Sequence, residues 1–312
     1  MISNDSMDNH PLVSVVIPLY NRKSSILEAV NSALSQEYPR IEVIVVDDGS
    51  TDGSVDALRK SIVDECVRIV SQKNGGACLA RNRGIDYAAG TYIALLDSDD
   101  VFLPGHIAKS IEILSADDIP TVVYGRIIVD RGNGRTFLKP PRGIGPEENM
   151  SEYLLCDQGF VQTSTVVLSK ELAQTIRYNE TLKFGQDTDF AIRLASSGAR
   201  FLMLEEPQAI WADRSSPSRV SNALNADART AWLNSIGTMI TRKAYIGDQG
   251  WYVAKALFKN GRRLKALLNY IIAVFSGCYR ARLAFRIFLQ IFLPSAFYRS
   301  LADMTLRDSL KR

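Results

Sequence analysis

The chain has 312 residues, of which 46% are hydrophobic and 23% charged, with 20 Gly and 11 Pro. This composition excludes a disordered, collagen-like or repetitive polymer and predicts one large globular domain or two smaller ones. The cysteines are far apart in the sequence and form no CxxC pair, which argues against a zinc site or a disulfide scaffold.

The net charge of +3 is unevenly distributed along the chain. Residues 1–248 carry 25 Lys and Arg against 32 Asp and Glu, whereas residues 249–302 carry nine basic residues and no acidic one. Such an asymmetry predicts a contact between the basic stretch and either a nucleic acid or an anionic membrane.

The first hundred residues alternate between strand and helix patterns. Short apolar runs rich in β-branched residues predict strands at 13–19, 41–46, 67–70 and 92–96, and helical spacing predicts helices at 24–36, 54–61 and 76–89. This alternation predicts an α/β fold with a Rossmann-like, mostly parallel central sheet flanked by helices.

Polar side chains follow three of these strands. Tyr20-Asn21 follows the first, Asp47-Asp48 the second, and Asp97 to Asp100 the fourth. Ligands of parallel sheets bind outside the carboxyl ends of the strands, so we expect the three clusters to meet at one site.

The pattern is looser after residue 105. A strand is predicted at 121–129, a loop at 131–148, an apolar stretch at 160–168, and a turn entering a helix at 184–196. Helical spacing predominates at 226–245 and again through 251–300, which predicts a helical C-terminal extension.

Asp97 and Asp99 place two carboxylates two residues apart at a strand end. Their hard oxygen ligands suit Mg²⁺ or Mn²⁺, which would neutralise a diphosphate in an acidic cleft. The alternative is a solvated turn in which Asp100 caps a helix.

The segment after the second strand contains more aspartate residues than a helix cap requires. The surplus carboxylate of Asp48 could accept hydrogen bonds from a nucleobase or a ribose. Asn74 begins a flexible Asn-Gly-Gly segment suited to the neighbourhood of a phosphate, and Arg81 or Lys73 supplies positive charge.

Five segments together resemble the family 2 glycosyltransferases, which are inverting enzymes with the GT-A fold: VSVVIPLYNR, VIVVDDGSTD, NGGACLARNRG, GTYIALLDSDD and FGQDTDFAIRL. The resemblance covers roughly residues 11–215. It implies a glycosyltransferase domain at 11–225, with a nucleotide-binding half at 11–105 and an acceptor half at 106–225. A basic amphipathic helical region would then occupy 226–312.

The resemblance also implies roles for individual residues. Asp97 and Asp99 match the DxD motif, with Asp99 expected to ligate the metal, and Asp187 matches the general base that deprotonates the acceptor hydroxyl. The predicted donor-binding set is Pro18, Tyr20, Asp48, Asn74, Arg81 and Asp97. An alternative for Asp187 is the N-cap of the helix that follows it.

The chain departs from the family pattern twice. Gln186 stands where relatives often have Glu, from which we infer a change in acceptor recognition. Relatives commonly carry a His soon after the base, but residues 211–216 contain none. Arg214 or Arg219 could neutralise phosphate instead, or this loop could be a basic surface.

Residues 251–300 interleave basic and apolar side chains. This pattern predicts an interfacial anchor on anionic lipid, whereas the alternative is a helix packed on the catalytic body with its basic residues in solvent. No nucleic-acid-binding module accompanies the charge, so no nucleic-acid partner is predicted. Among the basic residues are Lys255, Lys259, Arg262, Arg263, Lys265, Arg280, Arg282 and Arg286.

The polar N-terminus is neither a signal nor a transit peptide, and the apolar runs at 266–279 and 287–298 are shorter than the roughly 20 residues of a membrane span. The expected location is therefore cytoplasmic, peripheral on the inner face of the cell membrane. A GxGxxG turn is absent after the first strand, which argues against a dinucleotide oxidoreductase.

The sequence thus predicts a metal-dependent, inverting glycosyltransferase of cell-surface polysaccharide biosynthesis. Its donor would be a nucleotide sugar, its cofactor Mn²⁺ or Mg²⁺, and its acceptor lipid-linked or a polysaccharide. The alternative is a nucleotide-sugar-binding protein of the same fold without transferase activity.

Overall fold

The computed structural model describes residues 10–116, 119–132, 134, 136–213, 225–294 and 298. Contacts divide the chain into two compact units. Unit 1 comprises residues 1–144 and 160–215, and unit 2 comprises residues 145–159 and 216–312. The sequence-based domain boundary at 225/226 stays a prediction, and by contact residues 145–159 group with the C-terminal segment.

A nine-stranded sheet forms the centre of unit 1 within the described residues. The strand order is β3-β2-β1-β4-β8-β6-β9-β5, with β7 beside β6. The pairs among β3, β2, β1 and β4 are parallel, β6 and β9 are also parallel, and the other pairs, including that of β4 with β8, are antiparallel. The strands are β1 (Val13–Leu19), β2 (Ile41–Asp47), β3 (Val67–Ser71), β4 (Tyr92–Leu95), β5 (Asp100–Phe102), β6 (Thr121–Asp130), β7 (Thr136–Lys139), β8 (Val167–Ser169) and β9 (Arg200–Ala212).

The described sequence up to residue 213 contains seven helices. They are α1 (Ile26–Leu34), α2 (Ser54–Ser61), α3 (Ala77–Tyr87), α4 (His106–Leu114), α5 (Met150–Cys156), α6 (Lys170–Ile176) and α7 (Gln186–Ser196), of which α5 belongs to unit 2. A short 3₁₀ turn at Thr163–Thr165 precedes β8.

The core of unit 1 centres on β1, whose seven residues are all buried. Such burial on both faces is why the sequence of β1 is apolar at every position except Ser14 instead of alternating. Helix α3 packs directly on this strand at Gly84, where an added Cβ atom would clash with Cγ1 of Val16. Glycine at position 84 therefore sets the close approach of α3 to the sheet.

Pro18 is accommodated near the end of β1 without loss of a ladder hydrogen bond. The amide of Leu96 donates to the carbonyl of Val16, and β4 pairs with β1 only as far as Val16 and Leu95. The backbone groups of residue 18 point towards the β4 side, as those of residue 16 do, but the pairing with β4 ends before residue 18. Proline, which has no N–H, therefore loses no hydrogen bond at this position.

Several elements were not predicted from the sequence, including β5, β7, β9 and α4. Strand β9 contains a Glu-Glu-Pro segment, and its register with β6 shifts between Gly125 and Ile127, so its hydrophobic alternation is interrupted. Asp100 is buried in β5, and α4 follows Gly105, so the alternative that Asp100 caps a helix is wrong.

Unit 2 is helical in its described part, which confirms the predicted helical extension. Besides α5 it contains α8 (Ala226–Ser235), α9 (Arg242–Asp248), α10 (Ala254–Lys259), α11 (Arg263–Phe275) and α12 (Ala281–Phe292), with a π-helical turn at Gln249–Val253. Arg229 on α8 donates to the buried Asp248 through Nη2 at 2.6 Å, and its guanidinium lies 4.0 Å from the Trp232 ring centroid. Across the described ranges, every helix falls short of the length and apolar content needed to span a bilayer.

Candidate active site

The loop after β1 meets the turn after β4. Both strands run parallel in adjacent positions, so their carboxyl ends lie at the same edge of the sheet. Arg22 Nε donates to Asp99 Oδ2 at 3.2 Å, and Ser25 Oγ donates to the carbonyl of Ser98 at 2.8 Å. These contacts bring two of the three predicted polar clusters together.

The loop after β1 also contacts the loop after β2. The amide of Asn21 donates to Ser50 Oγ at 3.0 Å, and Asn21 Oδ1 accepts from the amide of Thr51 at 2.8 Å. The side chain of Tyr20 extends beside this junction with half of its surface exposed, whereas Pro18 is buried in β1. Of this pair, Tyr20 therefore offers an accessible surface to a ligand.

Asp48 is 2% exposed and holds the loop that enters α3. Its Oδ1 accepts from Gln72 Nε2 and from the amide of Gly75, and its Oδ2 accepts from the amide of Gly76, each at 2.8 Å. Asn74 Nδ2 donates to the carbonyl of Asp48 at 3.0 Å. The structure thus brings Asp48 and Asn74 together, with their polar groups engaged in shaping this loop.

Arg81 joins three elements of unit 1. It is 5% exposed on α3, and its Nη2 donates to Asp97 Oδ1 at 2.6 Å while its Nη1 donates to Gln186 Oε1 at 2.9 Å. Its guanidinium also lies 5.0 Å from the centroid of the Tyr178 ring. Arg81 therefore connects the turn after β4 with the beginning of α7.

Asp187 is the second residue of α7. Gly185, with a φ of 74°, precedes the helix and occupies the N-cap position, so the alternative that Asp187 is the N-cap is wrong. Asp187 Oδ1 accepts a hydrogen bond from Thr163 Oγ1 at 2.5 Å. This bond fixes the carboxylate at a point where the 3₁₀ turn and α7 meet.

The surroundings of Asp187 favour its protonated form. The carboxyl borders a cavity lined mainly by apolar side chains, such as Val161 and Phe190. Burial raises the pKa of Asp187, the charge of Arg81 opposes this rise, and the negative charge of Asp97 adds to it. Asp187 is accordingly a stronger base than an exposed aspartate.

The three carboxyl groups of the turn after β4 have different hydrogen-bond partners. Asp100 accepts from Gln162 Nε2 at 2.7 Å and from Ser164 Oγ at 2.6 Å, and burial raises its pKa well above the ordinary value. Burial also raises the pKa of Asp99, and the neighbouring charge of Asp97 adds to this effect, with Arg22 opposing it. Asp100 thus supports the turn, whereas Asp97 and Asp99 each accept from an arginine of another element.

Three contributors to this network were missed by the sequence analysis. Thr163 and Gln72 lie in segments without a recognisable motif, so no sequence signal pointed to them. Arg22 directly follows Tyr20-Asn21, and its position in that cluster was a signal that could have been used. Arg214 and Arg219, predicted as possible phosphate ligands, lie outside the described residues.

Residues 14–177, more than half of the chain, match the sequence pattern of Glycosyl transferase family 2. The chain belongs to this family. The glycosyltransferase is 29% identical over 266 residues to the amylovoran biosynthesis glycosyltransferase AmsB of Erwinia amylovora, covering 82% of this chain and 88% of AmsB. The predicted family and enzyme class are confirmed.

The fold of the glycosyltransferase is similar to two solved structures. TarS of S. aureus, residues 1–349 in complex with UDP-GlcNAc, superposes with a TM-score of 0.62 over 96% of this chain and 92% of that one, at 18% identity. The mannosyltransferase PcManGT from Pyrobaculum calidifontis, in complex with GDP-Man and Mn²⁺, superposes with a TM-score of 0.59 over 95% and 86%, also at 18% identity. The predicted GT-A fold is confirmed.

Proposed function

We propose that the glycosyltransferase moves a sugar, with inversion, from a nucleotide-sugar donor to a hydroxyl group of a lipid-linked or polysaccharide acceptor. The observation that carries this proposal is the hydrogen-bonded connection from Asp97 through Arg81 to Gln186, the neighbour of Asp187. It links the predicted leaving-group site to the predicted base. The relative that acts in amylovoran biosynthesis supports a role in making a polysaccharide.

Asp187 is the proposed general base. Its carboxylate takes the proton of the acceptor hydroxyl as that oxygen attacks the anomeric carbon, while the bond between this carbon and the diphosphate breaks. One displacement of this kind inverts the anomeric centre and requires no covalent nucleophile. Thr163 keeps the carboxylate in place, and the raised pKa makes it a better proton acceptor.

The residues after β4 fit a divalent cation. Asp97 and Asp99 offer hard oxygen ligands and lie close enough for the charge of Asp97 to raise the pKa of Asp99, a repulsion that a bound cation would relieve. Among the described residues no group of three or more His, Cys, Asp or Glu side chains is arranged to hold a metal. Two carboxylates suffice when substrate phosphates and water complete the shell, as is usual for Mg²⁺.

Asp97 and Asp99 would therefore hold Mg²⁺ or Mn²⁺, which supplies positive charge to the leaving nucleoside diphosphate. One oxygen of each carboxylate accepts from an arginine, Arg81 for Asp97 and Arg22 for Asp99. Arg22 is exposed and can move when the donor binds, whereas Arg81 is buried and keeps Asp97 oriented.

The predicted donor-binding residues differ in how exposed they are to solvent. Tyr20 is accessible, and its ring can pack on the nucleotide beside the end of β1. Asp48 and Asn74 shape the pocket through the loop before α3, and Arg81 acts on the donor through Asp97 because both of its terminal nitrogens donate to protein groups. Pro18 lies beyond the pairing of β1 with β4 and would contribute by directing the chain towards Tyr20.

A panel of nucleotide sugars, scored for Mn²⁺-dependent release of nucleoside diphosphate, tests the proposal. We expect turnover of one donor class by the wild type, a loss of about 10²-fold or more in Asp187→Asn, and loss of the metal response in Asp99→Ala. Asp157→Asn, an acidic residue of unit 2 outside the site, provides the matched control. Full activity of Asp187→Asn, or no turnover of any donor by the wild type, would overturn the proposal.

The proposed place of action is the cytoplasmic face of the cell membrane, with the protein bound peripherally. The acid-free basic stretch at 249–302 supports this location, since it carries the charge that anionic lipid attracts. A lipid-linked acceptor would be presented at the same surface.

A further inference from the structure

Helix α11 presents its large apolar side chains to solvent. Leu264 and Phe275, near its two ends, are 86% and 88% exposed, and Leu268 between them is 57% exposed. The residues that α11 buries are the small Ala266 and Ala273. A surface helix of a soluble protein ordinarily has the reverse arrangement, with its apolar stripe covered and its polar face in water.

The exposed apolar residues of α11 form one continuous stripe, which we call the α11 face. At 100° per residue they span an arc of about 140° on the helical wheel. Arg263 lies beyond one edge of this arc and Lys265 beyond the other. The α11 face consists of Leu264, Leu267, Leu268, Ile271, Ile272 and Phe275.

Helix α12 supports α11 within unit 2. Tyr270 of α11 donates its hydroxyl to the carbonyl of Ala284 at 2.9 Å, and its ring centroid lies 5.8 Å from that of Phe288. Helix α12 in turn buries Leu283 and Ile287. The exposure of the α11 face is therefore a property of a helix that is fixed on its opposite side.

The charge around the α11 face selects its partner. Residues 249–302 contain nine basic residues and no acidic one, so a second copy of this chain would bring two positively charged faces together. An anionic bilayer offers both complements, acyl chains for the apolar arc and phosphate groups for the flanking cations.

We propose that α11 lies in the interface of an anionic bilayer, with the α11 face among the acyl chains and with Arg263 and Lys265 at the level of the phosphates. This inference rests on the peripheral location proposed above and specifies the element that makes the contact. It does not depend on the donor or on the sugar that is transferred.

The test is co-sedimentation of the full chain with vesicles, in the absence of any nucleotide sugar. At low salt we expect binding to vesicles of equimolar phosphatidylcholine and phosphatidylglycerol, and weaker binding to phosphatidylcholine alone. The double variant Leu264→Glu/Phe275→Glu should lose about a hundredfold in partitioning, because two apolar side chains no longer insert. Val63→Glu is the matched control, since Val63 is 96% exposed in unit 1.

Insertion is separated from electrostatic adsorption by Phe275→Trp, which adds a fourth tryptophan. The fluorescence that this variant gains over the wild type should shift to the blue and be quenched by brominated lipid. No binding to the anionic vesicles, equal binding of the double Glu variant, or fluorescence of Phe275→Trp that brominated lipid leaves unquenched would overturn the inference. So would sedimentation as a dimer that Leu264→Glu/Phe275→Glu converts to a monomer. Vesicle binding by a protein that turns over no donor would instead contradict the proposed enzymatic function alone.

Discussion

Arg81 Nη1 donates a hydrogen bond to Gln186 Oε1 at 2.9 Å, and Gln186 Nε2 in turn donates to the carbonyl of Leu182 at 2.9 Å. Gln186 therefore holds Arg81 without competing for its charge, which remains paired with Asp97. Position 186 therefore places a neutral acceptor next to the proposed base.

Replacement Gln186→Glu should shift the pH dependence of transfer. A second negative charge beside Asp187 raises the pKa of this base, so activity should begin to fall at a higher pH on acidification. The pH profile of kcat/KM measures the shift. Gln186→Met, which removes the acceptor without adding charge, is the control and should leave the acidic limb in place. Identical limbs for the Glu variant and the wild type would contradict this account.

Thr163→Val should shift the pH dependence of transfer in the same direction by a different cause. The Thr163 hydroxyl stabilises the ionised carboxylate of Asp187, so its removal should raise the pKa of Asp187 further. A larger share of Asp187 is then protonated at a given pH, and the acidic limb moves upward. Thr163→Ser keeps the hydroxyl and should restore the wild-type profile. Failure of the serine variant to do so would assign Thr163 a packing role only.

Asp48→Asn should loosen the loop before α3. The amides of Gly75 and Gly76 both donate to the Asp48 carboxylate, and an asparagine offers them only one acceptor oxygen. We expect a loss of about 1 to 3 kcal/mol in the free energy of unfolding, faster exchange of these two amide protons and a higher KM for the donor. Asp52→Asn changes the same charge at an exposed site nearby, and an equal effect there would contradict the prediction.

His106 should make the fold sensitive to mild acid. It is fully buried, its Nδ1 lies 3.3 Å from Gln208 Oε1, and burial lowers its pKa from 6.5 to about 4. The unfolded chain binds the proton more readily, so stability is complete above pH 6.5 and falls by up to about 3 kcal/mol as the pH decreases towards 4.

Urea unfolding at neutral and mildly acidic pH measures this loss. His106→Asn retains a side-chain nitrogen near Gln208 but does not titrate, so its stability should depend less on pH than that of the wild type. His10→Asn removes the other histidine, which is exposed, and should behave as the wild type. An unchanged pH dependence in His106→Asn would refute the assignment.

Much of unit 1 could be predicted because its signals are local. Strand β1 and most of β2 are buried on both faces, so their sequences are largely apolar, and polar residues follow where each strand leaves the core. Strand β9 escaped prediction because Pro207 and a register shift interrupt its pattern, and β5 because its first residue is a buried aspartate.

The sequence by itself determined the family, the order of the motifs, the parallel half of the sheet and the acid-free basic stretch. Each of these depends on residue type and on short-range periodicity. The partners within the site are separated by long stretches of chain, as Arg81 and Gln186 are, and only the order of strands and helices in space brings them into contact. Likewise, periodicity identifies the apolar stripe of α11, but a covered stripe and an exposed one have the same period. Tertiary packing decided that this stripe faces outward, because α11 packs on unit 2 through Ala266 and Ala273.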